Sequence, residues 1–485
     1  MLKGMTRMLD KPHEECGVFG IFNMNERNVA QDIYLALFAL QHRGQLSCGI
    51  TVDYGNCDVE TVKKSGIVPE VFDEDTLAKF SNKGIGVSGI GHVRYSSKEF
   101  AGSINNQPLT LRYAKGTAAI ANNGGLVNAG TLREMLSNEG AIFQTGSDAE
   151  IIGTLAAGYR LSEKNMESAI EKTMYKIEGA YSFVMLSPNK LIAVRDPHGF
   201  RPLCLGRIED SYIVASESCA IRGIGGEFIR DIEPGEILVI NKEGTHSIKT
   251  HCGQKTSLCI FEHVYFARPD SIIDGAGVHI SRMRAGAFLA KQSPVEADVV
   301  IGVPDSGIDA AIGYANESGI PFETGFIKNR YVGRTFIKHT QAQRERAVHI
   351  KLNPIKSAVE GKRVVVIDDS IVRGTTSAHI VELIRQAGAK EVHMRISSPP
   401  FLNPCYFGTD ISSREYLIAC NLSRKEICQR IGADSLAYLS VDNLHEIAKE
   451  SKCDFCDACF TGKYPVKCEC DKDDKFESKL DTLLK

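Results

Sequence analysis

No stretch of this 485-residue chain stays apolar for the roughly 20 residues that a membrane-spanning helix requires. The segment ahead of Cys16 likewise lacks an apolar core long enough for a secretory signal. Charge of one sign is missing too. Lys and Arg number 57 against 60 Asp and Glu, and the net −3 gives no global attraction to nucleic acid or to an anionic membrane. Tryptophan is absent, which decides nothing about fold or function. There is no internal repeat, and the one biased segment is the charged tail within 466–485, read as a solvated terminal helix or disorder. These absences leave a soluble, cytoplasmic protein as the expectation. With 43% hydrophobic residues the chain can build sizeable cores, and its length suits two domains.

Cysteine, by contrast, is plentiful. Fifteen is high for an intracellular protein, yet they are not spaced as a small secreted disulfide framework, and so long a chain needs no such stapling. Cys453, Cys456 and Cys459 form a C-x-x-C-x-x-C run, which on spacing alone permits a zinc site or an iron–sulfur cluster.

The most informative segment is 364–377, VVVIDDSIVRGTTS. Four apolar residues run into Asp368 and Asp369, then a polar loop 370–377 leads into the amphipathic run 378–387. That pattern predicts a buried parallel strand, a loop at its carboxyl end, and a helix whose first turn faces the loop. Ligands of open α/β sheets bind outside the carboxyl ends of strands, and a helix N-terminus favours anions. Gly374, Thr375, Thr376 and Ser377 can offer backbone N–H groups and hydroxyls to a phosphate, while the two acids suit sugar hydroxyls or a hydrated Mg²⁺. The glycine and lysine spacing of a Walker loop is missing. A second buried strand, 297–307 (ADVVIGVPDSG), ends in a loop where Ser306 can face Mg²⁺ or pyrophosphate. The segment 328–354, rich in Lys, Arg and Gln, reads by composition as a solvated loop. Beside a polyphosphate site it reads better as a flap that closes and excludes water.

The segment 364–377 resembles the phosphoribosyl pyrophosphate (PRPP) loop of the type I phosphoribosyltransferases. The resemblance implies that Asp368 and Asp369 hold the ribose hydroxyls and that the loop, with Ser370, Arg373, Gly374, Thr375, Thr376 and Ser377, wraps the 5′-phosphate. Mg²⁺ would lie near Ser306, Asp368 and Asp369.

The amino-terminal half carries an independent signal. Cys16 precedes the apolar run 17–22; alone, such a cysteine is usually a small core residue. Downstream come 41–45 (QHRGQ), 91–95 (GHVRY), 122–126 (NNGGL) and 145–148 (TGSD), each setting polar groups at strand ends or turns. Together with Cys16 they resemble the glutamine amidotransferase domain of the N-terminal-nucleophile hydrolases. This implies that residues 1–15 are a propeptide and that the freed α-amino group of Cys16 is the base for its own thiol. By the same resemblance Asn123 and the Gly124 N–H form the oxyanion hole, Arg94 clamps the glutamine α-carboxylate, and Asp148 takes the α-ammonium. Asn122, Gly125, Leu46 and Cys48 stand where that family more often has His, Asn, Glu and Ala.

The run 456–465 (CDACFTGKYP) resembles the cluster motif of an iron–sulfur subgroup of the amidophosphoribosyltransferase family. It implies a [4Fe-4S] cluster held by Cys259, Cys405, Cys456 and Cys459, with Cys453 a neighbour and Cys468 and Cys470 outside it. All three signals in this order, from Cys16 to about Pro465, resemble that family as a whole. The expected reaction takes glutamine, PRPP and water to 5-phosphoribosylamine, glutamate and pyrophosphate, the first committed step of purine nucleotide synthesis. Purine nucleotides as inhibitors and a homotetramer are implied as well. Other amidotransferases, making glucosamine phosphate or asparagine, need a different second half. A PRPP-sensing DNA-binding regulator would want a helix-turn-helix and a basic face.

The expected architecture is an α+β N-terminal-nucleophile sandwich (αββα) over 16–244, then an α/β type I phosphoribosyltransferase domain with a parallel sheet over 258–465. Short apolar or alternating segments fill the first region, with helical patterns at 29–42 and 149–161. The polar stretch 241–257 is the expected linker. Beyond it strands alternate with helices, which argues for parallel pairing.

Overall fold

A computed structural model describes residues 16–55, 58–95, 103–329, 352–409, 411 and 413–468. The expected propeptide 1–15, most of the expected flap 328–354, Cys470 and most of the charged tail lie outside the described residues.

The first half is built on two antiparallel sheets. In the seven-stranded sheet, Gly17–Phe22 lies between Ser88–Arg94 and Ser211–Ala215, and all six of its residues are buried. Alternation along a strand explains how both faces are used. Val18 and Phe22 join an inter-sheet core with Ala119, Ala121, Val184 and Leu238 of the six-stranded sheet. Phe19 and Ile21 point the other way, into Ile33 and Leu37 of the helix Val29–Ala39. Ala118 and Ile120 face outward in turn, onto Ile151, Ile152 and Leu155 of the helix Asp148–Arg160. The order of layers is helix, sheet, sheet, helix, as the alternating pattern predicts.

The expected linker 241–257 begins too early. Gly244–Ile248 pairs with Ile237–Asn241 as an edge strand, so the sheet continues past 244. Its sequence GTHSI is polar because it covers little core, and no apolar alternation marks it as a strand.

The second half holds a parallel sheet ordered Val299–Gly302, Arg363–Asp368, Glu391–Ile396, Ser435–Tyr438. Val364 and Val366 pack against Ile380 and Ile384 on one side. Val365 and Ile367 pack against Leu289, Ala310 and Tyr314 on the other. A strand covered on both faces is apolar throughout, which is why 364–367 shows no alternation. The helix after it starts at Thr375, three residues before the expected start at 378. Thr375, Thr376 and Ser377 therefore form its first turn; their polarity looks like loop but suits the exposed N–H groups there.

A third connection closes the molecule. Leu258–Cys259 pairs in parallel with Phe455–Cys456, tying the end of the described chain to the residues just beyond the linker. Among the described residues no helix is long and apolar enough to cross a membrane.

Candidate active sites and a cysteine-lined cavity

The register that pairs Gly17 with Val93 sets Cys16 opposite Arg94 at one end of the seven-stranded sheet. Cys16 is half-buried, with its Sγ 3.8 Å from the Tyr95 carbonyl oxygen. Its own carbonyl oxygen accepts from Arg43 Nε at 3.1 Å. The loop that carries Arg43 lies tight on the neighbouring strand: a Cβ added to Gly44 would come 2.6 Å from the Arg94 carbonyl carbon.

Asn123 ends the strand Gly116–Asn123 of the facing sheet and is almost fully buried. Its Nδ2 has no hydrogen-bond partner among the described residues. A buried donor left so costs roughly 1–3 kcal/mol, and such a cost is accepted where a ligand completes the bond. Gly124 follows at φ +130°, and a Cβ there would lie 2.3 Å from the Ala180 carbonyl oxygen, so only glycine fits.

His92 bridges the two sheets, its Nε2 donating to the Asn122 carbonyl oxygen at 3.1 Å. Burial lowers its pKa to about 3, so the ring is neutral. Asp148, first residue of its helix, accepts from the Leu126 N–H at 2.8 Å and so is tied to the same loop. Cys16, Arg94, Asn123, Gly124 and Asp148 therefore converge on one end of the sandwich. Leu46 and Cys48 lie at the neighbouring strand Ser47–Asp53, where Cys48 is buried and its Sγ donates to the Gly66 carbonyl oxygen.

The second constellation sits at the carboxyl end of the parallel strands. Asp368 and Asp369 are fully buried. Asp369 accepts from Ser306 Oγ and from Ser370 Oγ, both at 2.6 Å, so Ser306 on the neighbouring strand's loop meets the paired acids. Gly374 caps the following helix at φ +85°, turning Thr375, Thr376 and Ser377 toward the acids' end of the strand. The Arg373 guanidinium stacks 5.4 Å from the Tyr416 ring centre. These residues offer helix N–H groups, hydroxyls and carboxylates around one strand end, a set suited to a phosphorylated sugar.

Cys259, Cys405, Cys456 and Cys459 line one small cavity together with Phe261 and Phe407. The pairing of Cys259 with Cys456 brings two of them together, and the N–H groups of Leu402 and Asn403 hold the Cys459 carbonyl at 3.0 Å each. Burial first, and the neighbouring thiols second, push Cys459 well above the ordinary thiol range. Cys259 and Cys456 rise to about 12, again chiefly through burial. These three thiols ionise together only around a cationic group. Among the described residues, no three His, Cys, Asp or Glu side chains close on a point that one metal ion could fill. Cys453 lies elsewhere, packed with Leu258, Ala267 and Val278, and Cys468 packs beside Tyr464.

Several residues at these sites were not singled out by sequence reasoning. Arg43, Glu217 and Glu262 form a buried ion-pair group beside Cys16, and Arg201 joins it. The signal for Glu262 was a lone acid inside the apolar run 260–267. Lys328, at the root of the expected flap, bonds Asp305.

Comparison with known proteins agrees with this geometry. Residues 92–223 match a glutamine amidotransferase domain family, and residues 280–397 match a phosphoribosyl transferase domain family. The amidophosphoribosyltransferase of Archaeoglobus fulgidus is 48% identical over 94% of this chain and 100% of its own length. That of Bacillus subtilis is also 48% identical, over 94% of this chain and 95% of its own. The solved B. subtilis glutamine PRPP amidotransferase, complexed with ADP and GMP, superposes with a TM-score of 0.85 at 47% identity, covering 94% and 99% of the two chains.

A glutaminase sandwich joined to a phosphoribosyltransferase sheet defines a glutamine-dependent transferase acting on PRPP. The chain belongs to the amidophosphoribosyltransferase family. It aminates PRPP with nitrogen from glutamine, in purine nucleotide biosynthesis.

Proposed function

We propose that Cys16, exposed as the chain's first residue when 1–15 are removed, is the glutaminase nucleophile. Its free α-amino group, with a reference pKa of about 7.7–8.0, accepts the thiol proton, and the thiolate attacks the side-chain amide of glutamine. The observation that carries this reading is the buried, unpartnered Nδ2 of Asn123 beside Gly124, a donor pair suited to an oxyanion. Arg94 clamps the α-carboxylate and Asp148 takes the α-ammonium. The α-ammonium of Cys16 returns its proton to the amide nitrogen, the C–N bond breaks to release ammonia, and water then releases glutamate from the thioester.

At the second site Asp368 and Asp369 hold the ribose hydroxyls, while Ser370, Arg373, Gly374, Thr375, Thr376 and Ser377 enclose the 5′-phosphate. Ammonia then displaces pyrophosphate at the anomeric carbon. Ser306, Asp368 and Asp369 are hard oxygen donors suited to Mg²⁺, which when bound would offset charge on the departing pyrophosphate.

The cysteine-lined cavity, with four thiols on its wall, suits a [4Fe-4S] cluster on Cys259, Cys405, Cys456 and Cys459. Its role is structural, latching the end of the chain to the catalytic halves, because the free energy of ligation adds to folding. Regulation by purine nucleotides is supported by the ADP and GMP held by the B. subtilis enzyme. A homotetramer in the cytoplasm completes the proposal.

Intact mass of anaerobically purified protein, native and denatured, tests it. A denatured chain beginning at Cys16, with a native excess equal to one [4Fe-4S] cluster, is expected. A retained 1–15 segment would leave Cys16 without its base, and zinc mass would overturn the cluster.

A further inference from the structure

The carboxylate of Glu262 lies beyond the expected linker, outside the glutaminase domain it reaches into. It grips Arg43 with two parallel bonds, Nη1 to Oε2 at 2.9 Å and Nη2 to Oε1 at 2.7 Å. Arg43 Nε in turn donates to the Cys16 carbonyl oxygen at 3.1 Å, and Nη1 also reaches Glu217 Oε1 at 2.6 Å. The side chains of Arg43, Glu217 and Glu262 are wholly buried.

The same carboxylate serves a second arm. Arg201 Nη1 lies 3.8 Å from Glu262 Oε1, and its Nη2 donates to the Phe407 carbonyl at 2.5 Å and to Thr409 Oγ1 at 3.3 Å. Gly408, between those two, rests on the oxyanion loop: a Cβ added to it would sit 3.2 Å from the Gly124 carbonyl carbon. A Cβ on Gly125 would likewise come within 3.3 Å of the Gly408 nitrogen, so the two loops lie in close contact.

Glu262 is itself held from behind. It opens a single π-helical turn, Glu262–Phe266, and Arg282 donates to the carbonyl oxygens of His263, Tyr265 and Ala267 around that turn. Arg282 belongs to the helix Val278–Gln292, which packs on the parallel sheet.

We propose that Glu262 is a positioning residue for glutamine hydrolysis, its one carboxylate fixing the nucleophile through Arg43 and the oxyanion loop through Arg201. The glutaminase site is then incomplete without the second half of the chain. A carboxylate suits the task because charge-assisted, bidentate bonds hold a guanidinium in one orientation, whereas an amide can accept on one side only. A displaced guanidinium would shift the Cys16 carbonyl or the Gly408 backbone, and misplacements of about 1 Å at a reacting group cost on the order of a hundredfold in rate.

This inference rests on the assignment of Cys16 as nucleophile, so the test carries Cys16→Ala as a separate arm. In the full-length, anaerobically purified enzyme, Glu262→Gln is expected to lower kcat for glutamine hydrolysis by roughly tenfold to a hundredfold. The KM for glutamine should stay within about twofold, because Arg94 and Asp148 are untouched. Synthesis from added ammonia, which bypasses the glutaminase, should likewise stay within about twofold. Glu262→Asp keeps the buried charge and withdraws its reach by one methylene. A smaller loss of the same parameter is expected of it, and its kinetics decide the matter if Glu262→Gln does not fold. A folded variant of either kind with unchanged kcat overturns the proposal, as does an equal loss of ammonia-dependent synthesis. Glutamine hydrolysis surviving in Cys16→Ala would instead refute the nucleophile, whatever Glu262 does.

Discussion

At the scale of single residues the account turns on one unsatisfied atom and one neutral ring. Asn123→Ala removes the unpartnered donor at Nδ2, and kcat for glutamine hydrolysis should fall by ~3 kcal/mol of barrier while glutamine still binds. Steady-state kinetics separate the two. His92 gives a pH prediction. The unfolded ring takes a proton near 6.5, whereas burial delays this to about 3 in the folded protein. Between those values the unfolded state binds more protons, so stability is whole above about 6.5 and is lost as pH falls toward 3. The His92→Gln variant should lose up to one proton's worth of slope in that window, about 1.4 kcal/mol per pH unit, read from urea midpoints against pH. Cys16, Arg94 and Asn123 were singled out because the segments that carry them resemble a glutamine amidotransferase domain; no periodicity or spacing marks them by itself. The bond from Arg43 to Glu262 was not, since the partners lie 219 residues apart and nothing local pairs them.

At the scale of elements, the strand 363–368 and its loop were read correctly in kind and slightly wrong in extent. The apolar run ended where the sheet ends, but Thr375, Thr376 and Ser377 looked like loop and are helix. Their hydroxyls compete with the backbone elsewhere in a helix, yet at its start the N–H groups have no other use. The polar edge strand Gly244–Ile248 was missed for the opposite reason, since it buries too little to show a period. Gly374 carries the helix start at φ +85°, and a Cβ there would come 2.7 Å from Ile418 Cδ1. An alanine there incurs a left-handed penalty of about 1–2 kcal/mol. Gly374→Ala should therefore raise the KM for PRPP by roughly tenfold, measured with ammonia as the nitrogen source.

At the scale of the molecule, three chain-distant segments meet between the two halves. Phe407 stacks on Phe200 with ring centres 4.2 Å apart, two residues after Cys405 and one before the glycine that supports the oxyanion loop. The cysteine cavity and the glutaminase end thus share one short loop. Cys456→Ser should lower iron content and expose the 453–468 segment to limited proteolysis, since that segment's pairing with Leu258–Cys259 is only two residues long. Two domains and their order could be read from motifs. Their mutual support could not, because the residues responsible are ordinary Phe, Arg and Gly in each half taken alone.

The central claim is that two sites on one chain pass nitrogen from glutamine to PRPP, with Cys16 needed for the first step only. The measurement that tests it most directly compares Cys16→Ala with the unaltered enzyme, using PRPP and either glutamine or ammonium as nitrogen source. Loss of glutamine-dependent 5-phosphoribosylamine with ammonium-dependent synthesis intact is the predicted result. A folded Cys16→Ala protein that still uses glutamine, or that has lost the ammonium reaction as well, would contradict it.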